Sequence, residues 1–166
     1  MLTRTVTATA IAVALVSGCD AVNSSLSGAS NPMTPEESKS QVVVAAKEIV
    51  GTLGLQVVEA VFWHSSCNDQ GEAPFRGQIR IAYPPAASLE QSVPEIEEMA
   101  QRLESAGWSA DSDFRSHGTA LEKNKVVAVL GPQNVSTPNR DIQIYGQCRD
   151  MTTQKGGNQT EPVKLD

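Results

Sequence analysis

The residue of this sequence best placed to do covalent chemistry is Cys19. It follows Val16-Ser17-Gly18 at the close of a short apolar run that begins after Arg4. Small residues before the cysteine let the segment lie extended in a peptidase cleft, and the thiol is a nucleophile that can take up diacylglycerol. This order of basic start, apolar middle and small residues at the cut predicts a lipoprotein signal peptide over residues 1–18, with Cys19 as the lipidated residue. The run is too short to span a bilayer, which takes about 20 apolar residues. An ordinary secretory peptide with a chance cysteine, or a buried N-terminal helix, would leave the same apolar run. Lipidation is preferred because Cys19 falls where the apolar residues stop and the polar stretch 20–33 begins.

With Cys19 acylated, Cys67 and Cys148 remain as an even pair in an oxidising compartment, where a disulfide is the default. Two free buried thiols, or a metal site joining Cys67 to His64, are the alternatives. The second lacks the three or four ligands zinc needs, and no CxxC or HxxxH spacing is present. His64 and His117 are the only histidines. His64-Ser65-Ser66 would put a hydroxyl near an imidazole, the start of a hydrolytic site, but adjacent strand residues point to opposite faces. Asp111 and Asp113 are too short an oxygen pattern for calcium. Neither a nucleophile elbow nor a phosphate-cradling glycine loop occurs. No catalytic residue, metal or cofactor is therefore expected.

The charge balance narrows the partners. Arg4 is the only charged side chain among residues 1–18, so 12 of the 13 basic residues remain against 19 acidic ones, a net of 12 − 19 = −7. Nucleic acid and anionic headgroups both reward a basic face, so neither is an expected partner. The partners expected are the lipid bilayer, reached through Cys19, and an envelope protein or small ligand.

Positioning these residues falls to one domain over residues 34–150, with a flexible tether at 19–33 and a disordered polar tail at 151–166. Thr34-Pro35-Glu36-Glu37 reads as a capping box, followed by an apolar stripe of Val42, Ala45, Ala46, Ile49, Val50 and Leu53 and a stop at Gly54. Ser92-Val93-Pro94-Glu95 reads as a second capping box, for a helix ending at Gly107. Four strands are expected, over 55–63, 78–83, 125–130 and 140–148. The order α, β, β, α, β, β predicts an α+β two-layer sandwich, a mainly antiparallel four-stranded sheet with both helices on one face. A Cys67–Cys148 bridge would make the first and fourth strands parallel neighbours. The other sheet face would be polar, carrying Gln56, Arg80, Gln143, Tyr145 and Gln147. Trp63, Trp108, Phe62, Phe75 and Tyr145 could line a groove, but with so few aromatics most are expected in the core.

Ser66-Cys67-Asn68, Pro74-Phe75-Arg76-Gly77, Ala106-Gly107-Trp108 and Tyr145-Gly146-Gln147-Cys148-Arg149-Asp150 resemble the small actinobacterial, particularly mycobacterial, lipoproteins of the LppA type. The resemblance covers roughly residues 37–150. It implies an exported, lipid-anchored protein of the cell envelope, and it carries no site residues with it. The function expected is a non-catalytic binding or scaffold domain held at the extracytoplasmic face of the cell membrane. The alternative is a small envelope hydrolase using His64 with Ser66.

Overall fold

A computed structural model describes residues 29–111, 113–154, 156 and 159–166. Cys19 and the signal peptide lie outside the described residues, as do Ser112 and Gly157.

The first helix, α1 (Pro35–Leu53), starts where its capping box predicts. Thr34 Oγ1 accepts from the Glu37 amide at 3.1 Å, and Glu37 Oε2 accepts from the Thr34 amide at 2.8 Å. Gly54 ends it in the left-handed region, at φ 63°. The second helix, α2 (Leu89–Ser105), begins a turn earlier than its sequence suggests. Ser88 is the cap, its hydroxyl accepting from the Gln91 amide at 3.2 Å. Ser92 is instead buried inside the helix, where its hydroxyl accepts from the Gln133 amide. Two serines four residues apart offer equivalent caps locally, and Pro94 favours the wrong one. Glu95 is accordingly not a first-turn residue.

The described residues form one seven-stranded sheet: β1 (Glu59–Ser66), β2 (Phe75–Tyr83), β3 (Ser109–Ala110), β4 (Thr119–Lys123), β5 (Val126–Leu130), β6 (Arg140–Tyr145) and β7 (Glu161–Pro162), in the order β3-β4-β5-β6-β2-β1-β7, antiparallel throughout. The α+β layering is as expected, whereas the four-stranded sheet and its order are not. β4 escapes the sequence pattern because its hairpin to β5 turns on Asn124-Lys125, at φ 52° and 62°, and lysine is not the residue that marks such a turn. β1 and β6 run in the same direction but are not neighbours, because β2 lies between them. β1 also starts later than expected, with Gln56, Val57 and Val58 exposed ahead of it.

The tail expected to be disordered contributes to the fold. β7 pairs with β1, the Val163 amide donates to the Ala60 carbonyl, and Leu165 is buried in the main core. Polar composition misleads here because only two or three apolar residues are needed to dock an edge segment.

The core lies between the helices and one sheet face. Alternate residues Ala60 and Phe62, Ile79 and Ile81, and Ile142 and Ile144 meet Val42, Ala46 and Ile49 of α1 and Ile96, Met99 and Leu103 of α2. α1 sits close on β2 at Gly77, whose amide donates to the Ser38 hydroxyl at 2.7 Å. Any Cβ at Gly77 would fall 2.5 Å from the Ser38 carbonyl oxygen, so glycine permits this contact. Trp108 joins the core and donates its indole N–H to Glu48 of α1 at 3.2 Å.

Candidate functional site

The sheet is covered by helices on one side only, so the alternate residues of β2 and β6 face outward. In register these are Gln78 opposite Tyr145, Arg80 opposite Gln143, and Ala82 opposite Asp141. This is the polar face read from the sequence, and Arg80, Gln143 and Tyr145 lie on it as expected. The segment between β3 and β4 folds over part of it, placing the Phe114 ring 5.0 Å from that of Tyr145. Between this segment, the β5–β6 connection and the sheet lies a groove of about 490 Å³, lined by Arg76, Phe114, Arg115, Asp141, Gln143 and Tyr145 among others.

A chain of side-chain hydrogen bonds runs along the groove floor. Gln143 Oε1 accepts from the Tyr145 hydroxyl in a short contact and from Gln78 Nε2 at 3.4 Å, and Gln143 Nε2 donates to Asp141 Oδ2 at 3.3 Å. Arg76 stacks at one end, its guanidinium 4.7 Å from the Tyr145 ring centroid and 6.0 Å from that of Phe114. Burial lowers the Arg76 pKa, with Tyr145 acting against it, and arginine stays cationic under such a shift. Burial likewise raises the pKa of the Tyr145 hydroxyl; Arg76 pulls it down and Asp141 pushes it up.

Of the aromatics named from sequence, Phe62, Phe75 and Trp108 are core residues, while Trp63 and Tyr145 are half-buried on strands. The two histidines are far apart in role. His117 lines the rim of the groove. His64 packs edge-on to Phe62 and its Nε2 sits 3.2 Å from the Pro35 carbonyl oxygen, which requires a proton on that nitrogen. The Ser66 hydroxyl donates within the β1–β2 loop, to the Asn68 and Glu72 carbonyl oxygens, and accepts from the Asn68 amide. His64 and Ser66 are therefore each committed to other partners and form no nucleophile–base pair.

Cys67 and Cys148 are joined by a disulfide with their Cα atoms 6.0 Å apart, which removes the thiolate a metal site would need. Cys67 lies just past β1 and Cys148 past β6, and both chains converge on the start of β2. The Cys67 amide donates to the Pro74 carbonyl, and the Arg149 and Asp150 amides donate to the Phe75 carbonyl. Asp150 closes this knot from within. Its carboxylate is fully buried, which raises its pKa, but hydrogen bonds from the amides and hydroxyls of Thr152 and Thr153 outweigh that cost and hold it below the ordinary value. Asp111 is likewise used structurally, accepting from the Asp113 and Phe114 amides at 3.0 and 3.1 Å. Among the described residues no group of three or more His, Cys, Asp or Glu side chains could hold a metal ion, and no helix is long and apolar enough to cross a membrane.

Sequence reasoning finds the strand residues of the groove through their alternation but not Arg76, Phe114, Arg115 or Asp141. The loop residues have no periodicity to betray them, and Arg76 lies at the start of β2, three residues ahead of where the alternation becomes clear.

A family profile described as "Putative lipoprotein LppJ" matches residues 34–166. Proteins of that description from Mycobacterium tuberculosis strains CDC 1551 and H37Rv are 30% identical to this chain, over 98% of its length and 90% of theirs. One from Mycobacterium bovis is 29% identical over the same shares. These matches support a lipoprotein family and do not confirm the LppA type suggested by the motifs. No solved structure matches significantly.

Proposed function

The chain belongs to the LppJ lipoprotein family, and on that footing we propose that lipid on Cys19 holds it at the extracytoplasmic face of the cell membrane, where its domain binds or scaffolds instead of catalysing. Anchoring rests on the residues around Cys19. Two or three acyl chains, at about 0.8 kcal/mol per buried methylene, make a stable anchor. The binding role rests on one observation: the helices seal one sheet face, while the other keeps a polar groove of about 490 Å³. That size suits a small ligand or a side chain of an envelope partner, and the acidic chain disfavours nucleic acid.

The test is metabolic labelling with an alkyne fatty acid, followed by fractionation. The wild-type chain should carry label and sediment with membranes, and Cys19→Ala should do neither. An unlabelled wild-type chain would overturn the anchor. A fluorophosphonate probe should leave the protein unmodified; labelling that disappears in His64→Ala would overturn the non-catalytic role.

A further inference from the structure

Arg76 differs from the other arginines of the sheet. Arg80 is paired with Glu59 at 2.9 Å and Arg140 with Glu95 at 2.6 Å. Lys39, His64 and Lys123 also have carboxylate partners within 4.0 Å. Among the described residues no carboxylate pairs with Arg76, although the chain carries 19 acidic residues against 13 basic ones. Its Nε donates to the Ser65 hydroxyl, at a long 3.4 Å. Arg76 is half-buried, and taking a cation even partly out of water without a counter-charge has a cost that a fold with so many carboxylates has the means to avoid.

The side chain is nonetheless held in place. The guanidinium carbon lies over the Tyr145 ring at 4.7 Å and 6.0 Å from the Phe114 centroid, and with the Nε bond to Ser65 these contacts hold the group at the groove wall. An oriented guanidinium matches the two oxygens of a carboxylate or phosphate, and its stiffness lowers the ordering cost of binding them. Arg115, exposed on the covering segment, adds a second positive charge to the same groove. The strand carboxylate of the groove is at the far end. Asp141 accepts from Gln143 Nε2 at 3.3 Å, with Gln143 standing between it and the Tyr145 hydroxyl, and it makes no ion pair with Arg76.

We propose that the groove on the open sheet face is an oxyanion site, in which Arg76 holds the carboxylate or phosphate group of a small organic ligand. This rests on reading the open face as the binding face. It adds the ligand's chemical class and the residue that recognises it. The ligand body would lie along Phe114 toward Gln143.

The test uses the full chain in neutral detergent, followed by NMR at the arginine Nε–Hε resonances. The probes are benzoate, phenyl phosphate and, as a neutral isostere of benzoate, benzamide. Saturable movement of the Arg76 resonance with benzoate, phenyl phosphate or both is expected, and the responding probe identifies the anion as carboxylate or phosphate. Benzamide should give no saturable shift. Arg76→Lys keeps the charge but loses the fork, and should weaken anion binding by about tenfold. The proposal is overturned if neither anion saturates, if benzamide matches benzoate, or if a folded Arg76→Lys binds as tightly as wild type. The probe comparison on the wild-type chain decides even where that variant does not fold. Successful fatty-acid labelling alongside failed anion binding would sink this assignment alone and leave the anchored lipoprotein standing.

Discussion

Replacing both Cys67 and Cys148 by alanine removes a crosslink between residues 81 apart in sequence. On the chain-entropy account, a loop of that length restricts the unfolded ensemble by about 4.5 kcal/mol at 25 °C. Domains are typically stable by about 5–15 kcal/mol, so a third or more of the total is at stake. For a folded body of this size each kcal/mol moves the melting temperature by about 3–5 °C, which places the double variant roughly 15 °C or more below wild type. Urea titration followed by circular dichroism measures the difference directly. The slope of stability against urea should also rise in the variant, because an uncrosslinked unfolded chain exposes more surface. Reduction of the wild-type chain should reproduce both changes. The hydrogen bonds that gather β1, β2 and the chain after β6 at this end would remain in the variant. They are the alternative source of stability here. A loss below about 1 kcal/mol, with an unchanged slope, would show that they hold the end together without the bridge and would refute the entropic reasoning.

At the helix–sheet contact, Gly77→Ala should cost about 1–3 kcal/mol in a thermal melt, since its Cβ would meet the Ser38 carbonyl oxygen at 2.5 Å. Ser38→Ala should cost a similar amount by leaving the buried Gly77 amide without its acceptor. Leu165→Ala should lower stability by about 2 kcal/mol because the residue is buried in the main core; no change would mean that the last strand does not dock. Asp150 has its folded-state pKa below the ordinary value of about 3.9, so its stabilising contribution is fully present above that value and is lost as pH falls through the folded pKa. Asp150→Asn should therefore be less stable than wild type at neutral pH, and the gap should shrink as acid titration goes below about pH 4. A gap independent of pH would contradict the hydrogen-bonded carboxylate.

Elements whose signals are local are legible in the linear chain. Thr34 and Glu37 cap α1 through bonds spanning three residues, and the Ile142, Ile144 alternation against Gln143 and Tyr145 orients β6. Signals that two local patterns share are ambiguous. Ser88 and Ser92 both suit a helix start, and the choice is made by the β5–β6 connection, which needs the Ser92 hydroxyl for the Gln133 amide. β4 hides behind an Asn124-Lys125 turn, and β7 behind a polar composition in which Val163 and Leu165 carry the docking.

The half of the candidate site that lies on strands is legible for the same reason: a period of two assigns Arg80, Gln143 and Tyr145 to one face without knowing what is paired with what. The groove itself requires distant segments to meet. Arg76 lies over Tyr145 through the pairing of β2 with β6, and the groove closes around it only when the β3–β4 segment brings Phe114 to Tyr145, a contact between residues 31 positions apart. Likewise, the even cysteine count suggests a bridge, but only the folding of β2 between β1 and β6 determines where it closes. Caps, periodicities and cysteine parity act over a few residues or by simple count, so the linear chain carries them. Strand order and the pairing of remote side chains arise from competition among all segments for the same core, and tertiary packing alone resolves that competition.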